Sequence, residues 1–360
     1  MNNVAILLKP VSAACQLRCR YCFYRDEAEQ RMIHDFGVMG QELQEKVIAG
    51  TMDAFDSPVT ITYMFQGGEP TLAGISWYES FVAKVKAHKK PWHTIHYAIQ
   101  TNGMLIDEEW ADLFARNQFL VGISIDGDLK DHNRYRRDQD DHPVFTKVIA
   151  GYHLLRKKQV EVNVLSVLSE ALAHHPDRYY CFLQKEDVQW AQIIPCLAPL
   201  YENSEYALTP ASYASFFCRV YDLWMKEAET GKIRHISLFD DILNLFQGKM
   251  PSQCGRLGYC QAQFVVEADG SVYPCDFYAL DEWKCGSFAR QTLPDIAENP
   301  LRRQFENRVK NTNALCQKCR WRQKCGGGCA RMRKSFLDTS FCGHRQLLDH
   351  MENRLLALKK

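Results

Sequence analysis

Six strand-like runs separated by helical runs fill the first 200 residues, and few folds accommodate that order. The runs are VAILLK (4–9), VTITYMF (59–65), TIHYAIQ (94–100), FLVGISI (119–125), VEVNVLSV (160–167) and WAQIIP (190–195), all rich in β-branched or aromatic residues. Helical patterns lie between most of them, at 41–55, 76–88, 107–117, 144–158 and 175–184, with Asp107 and Pro143 as start signals. Successive right-handed βαβ units give a parallel sheet or barrel. Six units instead of eight predict an α/β fold of the open, partial (β/α)6 TIM-like barrel kind. A chain of 360 residues exceeds what one core usually serves, so two domains, or one domain with a large extension, are expected. Residues 209–247 read as helical. From 251 cysteine and glycine become frequent and periodicity weakens, apart from a hairpin at 263–276 turning at Asp269–Gly270. The expected boundaries are 1–208 for the barrel, 209–249 for a helical linker, 250–345 for a cysteine-rich domain and 346–360 for a terminal helix.

The formal net charge is +1, so neither nucleic acid nor a membrane surface is an obligatory partner. No apolar run approaches the roughly 18 residues of a membrane span. MNNVAILLKP reads as a strand without a basic leader or cleavage site, so the chain is expected in the cytoplasm. Its fifteen cysteines are an odd number grouped at CxxC-like spacings. In a reducing compartment that grouping favours metal or iron–sulfur ligation over disulfides.

In a parallel barrel, ligands bind where the strands end. Cys15, Cys19 and Cys22 follow the first strand, QGGEP (66–70) the second, QTNG (100–103) and SIDG (124–127) end the third and fourth, and CLAPLY (196–201) follows the sixth. A closed zinc or cubane site takes four protein ligands. CxxxCxxC supplies three, which leaves either a remote fourth ligand on zinc or an open iron of a [4Fe–4S] cluster. An open position accepts a chelating amino acid, and the Gly67–Gly68 backbone lets such a ligand come close.

CQLRCRYC together with GGEP resembles the radical S-adenosylmethionine (SAM) enzymes. The resemblance implies that the unique iron binds SAM, whose reductive cleavage releases a 5′-deoxyadenosyl radical. It also implies SAM contacts from Tyr21, Gly68, Ser124, Arg136 and Leu197. Read from its own segment, HNRYRRD, Arg136 equally fits a solvated basic loop, and Asp126 fits a residue that orders its loop. The later cysteines, Cys254, Cys260, Cys275, Cys316, Cys319, Cys325, Cys329 and Cys342, resemble a SPASM domain with two auxiliary [4Fe–4S] clusters. By that resemblance Cys254, Cys260, Cys275 and Cys329 hold one, and Cys316, Cys319, Cys325 and Cys342 the other. Spacing alone equally allows two zinc sites of four thiolates each. Cys181 and Cys218 read as small buried hydrophobes; Cys196 has no partner at ligand spacing, and Cys285 has no assigned role.

KPVSAACQLRCRYCFY, FQGGEPTLAG, QTNGMLID and CQAQFVVEADGSVYPCDFY extend the likeness through nearly the whole chain, to the anaerobic sulfatase-maturating enzymes. The resemblance implies oxidation of a cysteine or serine in a sulfatase polypeptide to Cα-formylglycine. It implies three [4Fe–4S] clusters with SAM, a low-potential electron donor such as flavodoxin or ferredoxin, and Asp276 of YPCDFY as general base. A carboxylate in an aromatic, apolar setting suits proton abstraction, although its position also fits ordering of the hairpin end. The competing readings are a maturase that makes a thioether, a carbon–carbon crosslink or an epimer in another peptide, and a non-catalytic electron carrier.

Overall fold

The computed structural model describes residues 2–308, 311 and 313–358. All six expected strands form: β1 (Asn2–Leu8), β2 (Val59–Phe65), β3 (His93–Thr101), β4 (Phe119–Ser124), β5 (Glu161–Leu168) and β6 (Trp190–Pro195). The helices between them run Gln41–Met52, Ile75–His88, Glu108–Arg116, Phe145–Lys157 and Pro176–Lys185. Asp107 caps its helix by accepting from the Trp110 N–H at 3.0 Å. The segment near Pro143 starts its helix at Phe145, with Val144 as the N-terminal cap. The short strands β7 (His235–Ile236), β8 (Phe264–Val266), β9 (Ser271–Tyr273) and β10 (Gly286–Ser287) complete the set among the described residues.

The chain divides into two compact units that interleave in sequence. The first comprises Met1–Ser124, Arg136–Val162 and Ala262–Arg308; the second comprises Ile125–Tyr135, Asn163–Gln261 and Val309–Lys360.

In the first unit the strand order is β10-β9-β8-β1-β2-β3-β4. β1 to β4 run parallel in sequence order. The alternation of β2 buries Val59, Ile61, Tyr63 and Phe65. The helix Ile75–His88 lays Trp77, Tyr78 and Phe81 on Phe65, with ring centroids 5.0–5.9 Å apart. The hairpin β8–β9 turns at Gly270, φ +84°, and Asp269 accepts from the Ser271 N–H at 2.9 Å. Its strand β8 lies parallel to β1, in the register Leu7 to Val265 and Leu8 to Val266. No local pattern in the sequence announces that pairing.

The second unit holds most of β5, with β6 and β7 parallel beside it. The helix Pro210–Ala228 buries Tyr213, Phe216, Phe217, Tyr221 and Trp224 at helical spacing, and the terminal helix Gly343–Ala357 packs on it. The Tyr213 hydroxyl lies 2.9 Å from His344 Nδ1. Two sequence expectations change here. Cys181 is exposed, because its helix turns Tyr179, Tyr180, Phe182 and Leu183 inward and leaves Cys181 on the outer face. Cys218 is half-buried.

Candidate active site

The first unit places Cys15, Cys19 and Cys22 on the loop after β1. Cys15 Sγ accepts from the Leu17 N–H at 3.3 Å and from Asn102 Nδ2 at 3.6 Å. Gly68, φ +49°, packs so closely on this loop that a Cβ would collide with the Ala14 carbonyl oxygen. The Glu69 N–H donates to that same oxygen at 2.7 Å. Glu69, 1 % exposed, then ties the β2 loop to the end of β3. Its carboxylate accepts from the Thr71 hydroxyl at 2.6 Å, the Thr101 hydroxyl at 2.7 Å and the Asn102 N–H at 2.7 Å. Within GGEP the sequence assigns Glu69 no role; its hydrogen bonds show it to be the brace of the cysteine loop.

Among the proposed SAM contacts, Tyr21 and Arg136 meet in this unit. Arg136 is buried and its guanidinium lies 5.5 Å from the Tyr21 ring centre, so it is no solvated loop residue. Ser124, at the end of β4, accepts from Gln100 Nε2 at 3.0 Å. Leu197 lies in the second unit, buried after β6. Asp126, also in the second unit, accepts from the Val167 N–H at 2.8 Å and so orders its loop.

Asp276 opens a one-turn helix, Asp276–Tyr278, directly after β9 and Cys275. Its Oδ2 accepts from the Tyr24 hydroxyl at 2.6 Å. Tyr24 Oη also lies 3.1 Å from the Gln66 side-chain amide. The phenol has one proton, and the carboxylate takes it; the Gln66 amide then meets the phenol oxygen with its NH2 end. Asp276 Oδ1 is buried and has no hydrogen-bond partner among the described residues.

Beneath it lies a buried ionic cluster. Lys9 Nζ stands 3.5 Å from Glu27, 3.4 Å from Glu267 and 4.0 Å from Asp276 Oδ1, and Arg31 also pairs with Glu267. Lys9, Glu27, Arg31 and Glu267 are at most 4 % exposed. The Lys9 stem crosses Gly67, where a Cβ would overlap it. Three carboxylates share two cations, so the group holds a proton into the neutral range. Burial raises Glu27 to about 8, with Lys9 opposing. Burial also raises Asp276, opposed by Lys9 and by the Tyr24 hydrogen bond. Burial works against the Glu267 charge, but Lys9 and Arg31 overcome it and hold Glu267 low. Burial likewise opposes the Lys9 charge, and the carboxylates, Glu27 foremost, outweigh it and raise Lys9. Sequence reasoning missed Lys9, Tyr24 and Gln66 as members of this site. Lys9 and Tyr24 are the ends of KPVSAACQLRCRYCFY and Gln66 opens QGGEP, but only the β8–β1 pairing brings them to Asp276.

The second unit gathers two further thiol sets. Gly255, φ +77°, leaves room for Cys329, whose Cβ would stand 2.7 Å from an added methyl. Cys254, Cys329 and Cys260 sit close enough for the last two to add to the burial that raises Cys254; Cys275 belongs to the first unit. Cys325 is raised to about 11 by burial and by the nearby Cys342, Cys316 and Cys319. Cys342 caps the helix Gly343–Ala357, its sulfur accepting from the Arg345 N–H at 3.3 Å. Cys15, in the first unit, is raised to about 12, chiefly by burial. Thiols grouped so and held protonated by burial fit iron–sulfur ligation, because metal binding releases the proton and stabilises the thiolate.

Comparison with known proteins identifies the family. A Radical SAM superfamily model matches residues 10–170, and an iron–sulfur cluster-binding (SPASM) domain model matches residues 254–320. The chain is 39 % identical to the cysteine-type anaerobic sulfatase-maturating enzyme of Clostridium novyi (strain NT), across 92 % of this chain and 89 % of that one. The chain belongs to the anaerobic sulfatase-maturating enzymes. It is thus a radical SAM enzyme with a SPASM domain. Its identity to the serine-type enzyme of Bacteroides thetaiotaomicron is 32 %, across 92 % of this chain and 83 % of that one. The structure of native anSMEcpe with bound AdoMet and Cp18Cys peptide superposes at TM-score 0.90 and 35 % identity, covering 99 % of this chain and 98 % of that one. That match carries the fold expected from the sequence, a SAM-binding α/β domain with an iron–sulfur extension. No helix among the described residues is long and apolar enough to cross a membrane.

Proposed function

We propose that this enzyme oxidises a cysteine of a sulfatase polypeptide to Cα-formylglycine in the absence of oxygen, in the cytoplasm. The higher identity to a cysteine-type than to a serine-type relative supports cysteine as the substrate residue. The proposed division is a SAM-binding barrel over 1–208, a linker over 209–249, a two-cluster domain over 250–345 and a terminal helix over 346–360. Cys15, Cys19 and Cys22 hold the cluster with the open iron, and Tyr21, Gly68, Ser124, Arg136 and Leu197 contact SAM. Cys254, Cys260, Cys275 and Cys329 hold the first auxiliary cluster; Cys316, Cys319, Cys325 and Cys342 hold the second, making three in all. A flavodoxin or ferredoxin supplies the reducing electron. SAM on the open cluster provides, when bound, the abstraction of a hydrogen atom from the substrate Cβ.

The chain's own contribution is the base. The observation that carries it is the Asp276 carboxylate, with Oδ2 taken by Tyr24 and buried Oδ1 without a hydrogen-bond partner among the described residues. Tyr24 fixes which oxygen accepts. Lys9 stabilises the anion without bonding that oxygen, and Oδ1 takes the substrate thiol proton as the second electron leaves. The test is mass spectrometry on a sulfatase peptide incubated anaerobically with enzyme, SAM and dithionite. The aldehyde is expected. A crosslinked, thioether-bridged or epimerised product in its place would replace this function with that of another peptide maturase.

A further inference from the structure

Resting on that function, we infer that the surface around Cys316, Cys319 and Cys342 is the docking site of a small acidic one-electron carrier protein. These three cysteines line an open pocket of about 310 Å3 together with Phe341, Arg345 and Asp349. A cluster held by them therefore faces the exterior of the second unit, where a carrier's redox group can come close. Electron transfer weakens steeply with distance, so such an opening suits exchange with another protein.

The charge around the opening selects the partner. Residues 313–352 carry eight Lys or Arg, two Asp and one Glu, whereas the whole chain carries a net +1. All three acids are already engaged, Glu352 with Arg320 at 2.7 Å. Asp338 accepts from the Ser340 and Phe341 N–H groups, each at 2.7 Å. Asp349 takes Arg320 at 2.5 Å and the Trp321 indole N–H at 2.7 Å. Lys318 and Arg322 are exposed and form no ion pair among the described residues. Uncompensated positive charge beside an open redox group steers a negatively charged partner into register. A nucleic acid would feel the same field but would make no use of the thiols at its centre.

The electron count fits a one-electron carrier. One electron enters to cleave SAM. The substrate then loses a hydrogen atom from Cβ, and afterwards one electron and the thiol proton, which leaves a thioaldehyde that water converts to the aldehyde with release of hydrogen sulfide. The reduced carrier gives the first electron, and its oxidised form takes back the last; the proton goes to Asp276.

The experiment uses the reconstituted holoenzyme and a bacterial flavodoxin under anaerobic conditions. Calorimetry should show binding that weakens about tenfold or more between roughly 50 and 300 mM salt. Lys318→Glu with Arg322→Glu should lower the affinity at least about tenfold and flatten the salt dependence. Its visible cluster absorption and its dithionite-driven aldehyde yield should stay unchanged. Should the Glu variant lose cluster absorption, the milder Lys318→Gln with Arg322→Gln should still weaken binding about threefold, and the salt series on the unaltered enzyme needs no variant. Salt-independent binding, an affinity within about twofold of the unaltered enzyme for both variants, or tighter binding of a DNA oligonucleotide than of flavodoxin would overturn the inference. Failure of the proposed function is distinct, since it appears as absent aldehyde with dithionite whatever flavodoxin does.

Discussion

The Tyr24 hydroxyl donates to Asp276 Oδ2 at 2.6 Å across 252 positions of sequence. One residue lies in the first turn of the helix Phe23–Glu29, just after Cys22; the other follows Cys275 after β9. The bond fixes one carboxylate oxygen and leaves the other, buried, without a hydrogen-bond partner among the described residues.

Asp276→Asn keeps the size of the side chain and removes the proton acceptor. Formylglycine should fall about 10²–10⁴-fold, the range for loss of a general base. Deoxyadenosine should still form and still carry deuterium from a Cβ-labelled substrate peptide. Aldehyde formation at the normal rate would make Asp276 a structural residue.

Tyr24→Phe frees Oδ2 and lets the carboxylate turn. Loss of one charge-assisted hydrogen bond should lower aldehyde yield about tenfold or more. SAM cleavage should fall less, so the ratio of deoxyadenosine to aldehyde rises. An unchanged ratio, read by chromatography of both products, would count against the positioning role.

Glu27→Gln tests the buried cluster through pH. Glu27 is raised to about 8 in the fold, so the folded chain binds its proton where the unfolded chain has released it. The stabilisation is complete at pH below the ordinary glutamate value and is lost as pH rises toward 8. The native enzyme should therefore lose stability from about pH 5 to 8 with a slope of at most about 1.4 kcal/mol per unit from this group. The Gln variant should show a flatter curve in anaerobic thermal unfolding. Parallel curves would mean that Glu27 stays charged.

Gly68→Ala forces a methyl against the Ala14 carbonyl at φ +49°. The clash is with backbone, so the cysteine loop has to shift. SAM affinity by equilibrium dialysis should drop more than about tenfold, beyond the ~1–2 kcal/mol intrinsic cost of the left-handed backbone. The iron bound by the C-terminal cysteines should be retained. SAM affinity equal to that of the unaltered enzyme would separate Gly68 from the site.

Cys325→Ala removes one thiol of the set that includes Cys316, Cys319 and Cys342. About four irons per chain should be lost, and the yield of folded protein should fall, because cluster binding stabilises a segment with few regular elements. Zinc in place of iron in anaerobically purified protein would refute the cluster assignment.

Much of the fold was legible because its signals are local. β-branched runs, an Asp cap before Trp110 and the Asp269–Gly270 turn each act within a few residues, and the structure places strands and helices within a few positions of them. The grouping of the cysteines at CxxC-like spacings was legible because spacing is a sequence property. Cys181 was misread because a helical run shows which residues are apolar and not which face meets the core.

By itself, the sequence determined the strand succession, the cysteine groups, the bare glycines after β2 and the presence of an aspartate beside Cys275. Only the tertiary structure decided what surrounds that aspartate. Parallel pairing of β8 with β1 joins residues more than 250 positions apart, and no short-range pattern encodes it. That register sets Glu267 beside Lys9 and carries Asp276 to Tyr24, burying three carboxylates around one ammonium. A strand states which of its faces is apolar; its neighbour is settled by the global packing that buries that face, and here that packing assembles the surroundings of Asp276.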